Sequence, residues 1–225
     1  PDDDRGYFTY QSFTSPKQVY STSITEGGTE LWSEEDVPVD TSKYTSEQVW
    51  YESKDGTKVS MFVVHQKGAE LDGSMPLLLY GYGGFDVSLK PHFRESVIPL
   101  LEAGGGYAVA NLRGGGEYGK AWHEAGMLDK KQNTFDDFIA AAEHLVDEGY
   151  TSADRIAIEG GSNGGLLVSA VTTQRPELFE AVLCHVPLTD MVRYNAFGPA
   201  KTWMHEYGDP EKKKHFQFLY DYSPY

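Results

Sequence analysis

Only one cysteine, Cys184, occurs in this chain, so an intrachain disulfide is excluded. Its place in the apolar run Ala181-Val182-Leu183-Cys184 predicts a buried strand residue. Positive charge is scarce: 19 lysines and arginines face 34 acidic residues, a formal net charge of −15, which argues against nucleic acid or an anionic membrane as partner. The one tight cationic run, Lys212-Lys213-Lys214, lies among Asp209, Glu211 and a predicted helix and reads as a solvated face. No stretch approaches the ~18 consecutive apolar residues of a membrane helix, and no secretory apolar segment opens the chain. Metal spacing is missing too. His123-Glu124 and His205-Glu206 both lack the second histidine of a zinc helix, so no metal and no cofactor is expected.

What the chain does have is enough apolar content, 40% over 225 residues, for a sizeable core. Residues 1–45 alternate polar with aromatic or β-branched side chains, as in Tyr7-Phe8-Thr9-Tyr10, and read as antiparallel strands. Two or three strands cannot bury a face alone, so this segment is expected to complete a larger β structure or to pack on the rest of the chain. An acidic link, Glu34 to Asp40, separates the two parts. Strands are then expected near Val49–Glu52, Lys58–His65, Pro76–Tyr80, Tyr107–Leu112, Arg155–Ile158 and Ala181–Val186. The last three are apolar throughout, the pattern of a sheet covered on both faces. Between two of them lies the clearest helix, with Thr134 as cap, Asp137 three residues on, an apolar stripe from Phe135 to Val146, and Gly149 as stop. Strands alternating with helices predict a doubly wound α/β domain.

The most informative stretch is Gly160-Gly161-Ser162-Asn163-Gly164, which comes after a β-branched run and precedes an apolar helix stopped by Pro176. That is the pattern of a nucleophile elbow, in which a serine stands exposed on a strained turn between strand and helix. The flanking glycines leave the room such a turn needs. The helix N-terminus would face a developing oxyanion. The alternative is a serine in an ordinary glycine-rich loop. A nucleophile also needs oxyanion donors. One is the Asn163 backbone N–H; a second would come from Tyr80-Gly81-Tyr82-Gly83-Gly84-Phe85 after Leu77-Leu78-Leu79, where the Tyr82 phenol could donate directly. The same segment also reads as a tight turn with core aromatics. Gly114-Gly115-Gly116-Glu117-Tyr118-Gly119 imitates a dinucleotide fingerprint, but Asp136 and Asp137 fall in the predicted helix and place no ribose contact, so a structural loop is expected.

Taken together, Tyr80–Phe85, Asn111-Leu112-Arg113-Gly114-Gly115-Gly116-Glu117-Tyr118-Gly119, Gly160–Gly165, Lys201-Thr202-Trp203-Met204-His205-Glu206-Tyr207-Gly208 and Tyr222-Ser223-Pro224-Tyr225 resemble the prolyl oligopeptidase family, in order and over nearly the whole chain. The resemblance implies an α/β-hydrolase fold at 46–225, truncated before its last strands and preceded at 1–45 by the end of a β-propeller. It implies a serine endopeptidase cleaving short proline-containing peptides after proline. Ser162 would be the nucleophile, Asn163 and Tyr82 the oxyanion hole, and Trp203 the stacking surface for the proline ring, with Phe85 and Tyr207 walling its pocket. It also implies that the triad aspartate, the triad histidine and the arginine of the family's Asp-Asp-Arg type loop lie beyond Tyr225. Asp190, Asp209, His205 and His215 are not replacements, because acid and base come after later strands. The chain is thus expected to be a fragment, inactive alone. The alternatives are an oligopeptidase B-like enzyme cutting after Lys or Arg, an acylaminoacyl-peptidase-like hydrolase, or a silent binding module. Oligomeric state and peptide-length limit stay open. So does the compartment, cytoplasmic ahead of periplasmic or secreted, since the chain begins without methionine.

Overall fold

The computed structural model describes residues 4–225. Three antiparallel strands come first, β1 (Arg5–Tyr10), β2 (Gln18–Ser23) and β3 (Gly27–Glu34), in spatial order β1-β2-β3. Next come β4 (Tyr44–Glu52), β5 (Lys58–Gln66), β6 (Leu77–Tyr80), helix α1 (Ile98–Glu102), β7 (Gly106–Ala110), α2 (Lys120–Glu124) and α3 (Lys131–Asp147). The chain continues through β8 (Ile156–Gly161), α4 (Asn163–Gln174), β9 (Ala181–His185), α5 (Met204–Tyr207) and α6 (Lys213–Tyr222). Strands β4 to β9 form one sheet in the order β4-β5-β7-β6-β8-β9. β4, β5 and β7 pair antiparallel, whereas β7, β6, β8 and β9 run parallel.

Period-two alternation sorts the strand side chains between two cores. Leu77, Leu79, Ala108, Ala110, Ile156 and Ile158 face α3 and α4, where Phe135, Phe138, Leu166 and Val171 are buried against them. Tyr107, Val109 and Val64 face the other way, together with Leu101 of α1 and Phe13. Phe13, between β1 and β2, packs 5.2 Å from the Phe62 ring, so the N-terminal segment does rest on the six-stranded sheet. β4 begins at Tyr44, earlier than its apolar pattern suggested, and Tyr44 is itself buried in the second core.

β6 lies between β7 and β8, so the chain leaves it first to one side and later to the other. In open parallel sheets a crevice forms at the carboxyl ends of strands flanking such a switch. Here those ends carry the segments starting at Gly81 and Ser162.

Three expectations need correction. α3 starts at Lys131, so Thr134 does not cap it; the Thr134 hydroxyl donates to the Arg113 carbonyl at 2.8 Å inside the protein. β9 is not covered on both faces: it is the edge strand, and all five of its residues are exposed. Cys184 is consequently exposed as well, its Sγ 3.2 Å from Ser169 Oγ.

Candidate active site

Ser162 is exposed and sits between the end of β8 and the start of α4 with φ 56° and ψ −113°, a conformation costly for any residue with a side chain. The neighbours explain why it is tolerated. A methyl group on Gly160 would run into the Gly164 carbonyl oxygen, and one on Gly164 would lie 2.7 Å from the Gly81 carbonyl oxygen. Glycine at 160 lets β8 and α4 meet at so sharp a turn, and glycine at 164 lets α4 approach the Gly81–Tyr82 segment. The Ser162 N–H is tied to the His185 carbonyl at 2.9 Å, which anchors the elbow to β9.

α4 begins at Asn163, and the first N–H groups of a helix have no acceptor within it. The donor of the residue after the serine is therefore oriented by the helix and carries its positive dipole end. The Asn163 side chain is fully buried and bridges two elements: its Nδ2 donates to the Tyr82 carbonyl, and its Oδ1 accepts the Tyr207 hydroxyl at 2.9 Å. Tyr82 is half-buried and lines the same cavity as Ser162. Burial pushes the Tyr82 phenol above its usual range, with Tyr80 and Glu206 adding to the effect, so it keeps its proton at neutral pH and can donate.

Tyr82, Phe85, Ser162, Leu188, Trp203 and Tyr207 together line a cavity of 230 Å³. Trp203, at the N-cap of α5, is half-buried; Phe85 meets the Tyr207 ring edge-on at 5.5 Å. Tyr207 itself is fully buried, so it backs the cavity. A wider opening of 540 Å³ beyond Ser162 is bordered by Pro187, Leu188, Phe197 and Trp203. All six residues expected at the site are thus brought together from the ends of β6 and β8 and from α5 with its cap.

Three buried charged side chains that no local pattern marks for the interior, Lys131, Glu206 and Arg113, hold this arrangement. Lys131, 1% exposed, donates its Nζ to the Gly83 carbonyl at 2.7 Å. Glu206, fully buried, accepts the Phe85 N–H at 2.9 Å and faces His123 Nε2 at 2.8 Å. Arg113 is buried between Asp137 and Asp55, each 2.6 Å away. Burial works against the Arg113 charge, but its hydrogen bonds to the two carboxylates outweigh it and keep the guanidinium firmly protonated. Its own N–H also bonds Asp137, pinning the chain just before Gly114.

The other histidines in this region are engaged elsewhere. His205 Nδ1 lies 2.9 Å from the Thr202 carbonyl, and His215 Nδ1 accepts the Asp209 N–H at 2.9 Å. The glycine-rich segment 114–119 is tied down by Glu117, which accepts the Leu89 N–H at 2.8 Å, and Asp137 is committed to Arg113. Among the described residues no group of three or more His, Cys, Asp or Glu side chains is placed to hold a metal, and no helix is long and apolar enough to cross a membrane.

The chain as a whole has counterparts among known proteins. The profile described as the Prolyl oligopeptidase family matches residues 91–225. The chain belongs to that family. It is 45% identical over 219 residues to a protein named prolyl endopeptidase from Elizabethkingia miricola, covering 97% of this chain and 31% of that protein. A prolyl oligopeptidase from Omphalotus olearius is 44% identical over 223 residues, covering 97% and 30% respectively. Among solved structures, one from a structural and mechanistic analysis of two prolyl endopeptidases superposes with a TM-score of 0.96 at 61% identity, over 99% of this chain and 33% of that one. A post-proline cleaving enzyme from Rickettsia typhi superposes with a TM-score of 0.94 at 39% identity, over 99% and 32%. The fold is therefore that of prolyl oligopeptidases, a family of serine peptidases, and the chain spans about a third of the length of the relatives it matches.

Proposed function

We propose that this chain is the nucleophile-bearing part of a post-proline endopeptidase acting on short peptides. The observation that carries the reading is the strained, exposed Ser162 at the mouth of a cavity walled by Tyr82, Phe85 and Trp203. A flat, uncharged aromatic pocket suits a proline ring, which presents apolar faces and has no amide hydrogen to satisfy. Cutting after Lys or Arg would call for free carboxylates there, but Asp190, which lines the wider opening, is paired with Arg193, and Glu206 is buried against Lys131, His123 and the Phe85 N–H.

In this reading the proline side of the scissile bond lies against Trp203, with Phe85 and the buried Tyr207 behind it. A histidine base takes the Ser162 proton as Oγ attacks the proline carbonyl. The oxyanion then accepts from the Asn163 N–H and the Tyr82 phenol. Collapse expels the amine with the proton from the base, and water releases the acyl group by the same steps in reverse. The base and its aspartate are assigned to sequence beyond Tyr225, in keeping with relatives about three times as long and with the open edge at β9. On this account residues 46–225 are an incomplete α/β-hydrolase domain and 1–45 the end of a β-propeller. The 225-residue chain alone is then inactive.

Ser162→Ala in the complete enzyme tests the assignment. Loss of the nucleophile should lower turnover of a glycyl-prolyl reporter by about a million-fold while the circular dichroism stays unchanged. Retention of a tenth of the parental rate would refute it.

A further inference from the structure

The segment carrying Tyr82 and Phe85 has an unusual backbone: Gly83, Phe85 and Asp86 all have positive φ, at 63°, 57° and 58°. A side chain in that region is disfavoured by roughly 1 to 3 kcal/mol, so Phe85 and Asp86 stay there only if their surroundings over-determine the conformation. Two buried side chains of opposite charge supply that constraint. The Lys131 ammonium, at the first turn of α3, holds the Gly83 carbonyl at 2.7 Å. The Glu206 carboxylate, on α5, holds the Phe85 N–H at 2.9 Å through Oε1. The two lie 4.0 Å apart, and Lys131 also sits 5.8 Å from the centre of the Tyr207 ring. The second oxygen of Glu206 meets His123 of α2 at 2.8 Å.

Both side chains are almost wholly removed from water, where an unpaired charge would be strongly destabilising. A core of apolar residues could fill the space, but it could not satisfy a carbonyl and an N–H two residues apart in a left-handed turn. The pair therefore does something that packing cannot. Glu206 adjoins Tyr207 and lies three residues after Trp203, so it rigidly links the α5 wall of the cavity to the segment bearing the Tyr82 phenol.

We propose that Lys131 and Glu206 are positioning residues that hold the Tyr82–Phe85 segment in the conformation presenting the Tyr82 phenol to Ser162, with His123 fixing the orientation of Glu206. The inference rests on the serine-peptidase reading for its catalytic consequence, but the holding itself can be measured without substrate.

The experiment compares the complete enzyme with Lys131→Met and Glu206→Gln, alone and combined with Tyr82→Phe. The first readout is amide hydrogen exchange of a peptide covering residues 80–86. It should quicken by about tenfold or more in both variants while the β7 peptide stays protected. The second is turnover of a glycyl-prolyl reporter. kcat should fall about tenfold with KM little changed in Lys131→Met, and the same substitution should have almost no further effect in Tyr82→Phe, because the donor it positions is already gone. Glu206→Gln keeps the side-chain size but removes the charge that faces Lys131 and His123, and so serves if Lys131→Met does not fold. Unchanged exchange in both variants would overturn the proposal, as would an equal loss of kcat with and without the Tyr82 hydroxyl. A parent enzyme that cleaves no prolyl reporter would sink the peptidase reading and leave the exchange result to decide the positioning claim.

Discussion

Asn163 and Tyr207 are joined by a buried hydrogen bond in which the phenol donates to Oδ1 at 2.9 Å. Asn163, whose backbone N–H is proposed to face the developing oxyanion, is thereby fastened through its side chain to Tyr207. Its Nδ2 completes the link by donating to the Tyr82 carbonyl. Tyr82, Asn163 and Tyr207 are thus one hydrogen-bonded unit, and with the roles proposed for them that unit supplies the preorganisation that electrostatic stabilisation of a transition state requires.

Replacing Tyr82 by phenylalanine keeps the ring and removes one donor. In the complete enzyme kcat should fall by roughly a hundred- to a thousand-fold with KM nearly unchanged. Steady-state kinetics on a prolyl reporter decides it; a rise in KM alone would make Tyr82 a residue of ground-state binding.

Trp203→Ala should weaken substrates with proline before the scissile bond more than those with alanine there. A stacked ring is worth on the order of 1 kcal/mol beyond its buried area, so the ratio of kcat/KM values for the two substrates should shift by about fivefold. Equal losses would contradict the stacking role.

The two carboxylates on Arg113 should behave differently. Asp137 is fully buried and Asp55 has a half-exposed side chain. Asp137→Asn leaves a buried guanidinium short of its main partner and should cost about 3 to 5 kcal/mol in urea unfolding. Asp55→Asn should cost no more than about 1 kcal/mol, because water screens that pair. Arg113 holds the Asp55 carboxyl well below its ordinary value of 3.8. The stability Asp55 contributes is therefore present above the ordinary carboxylate range and lost only as pH falls toward the depressed value. Costs of equal size would show that burial does not distinguish the pair.

Much of the site is legible in the sequence because its signals are local. The glycines around Ser162 are forced by a turn and the glycines of 81–84 by close approach to the neighbouring segment, whereas Trp203, Phe85 and Tyr207 are legible only through the resemblance to the prolyl oligopeptidase family. The buried charges are not legible. Lys131 and Glu206 are 75 positions apart, and nothing in either neighbourhood marks a lysine or glutamate for the interior. Lys131 stands beside another lysine and reads as solvent-facing. Asn163 announces itself through its backbone alone, although its side chain does as much. Thr134 with Asp137 three residues on imitates a capping box, yet both side chains turn inward to serve the Arg113 segment. Cys184 shows the reverse: an apolar run predicts burial only when something covers the strand, and β9 is an edge.

The central claim is that Ser162 is an activated nucleophile whose base comes from sequence beyond Tyr225. A fluorophosphonate probe with subsequent peptide mapping tests it most directly, on the 225-residue chain and on the complete enzyme side by side. The account predicts stoichiometric modification of Ser162 in the complete enzyme, none in its Ser162→Ala variant, and little in the shorter chain. Labelling at a different serine, or equally fast labelling of Ser162 in the shorter chain, would contradict it.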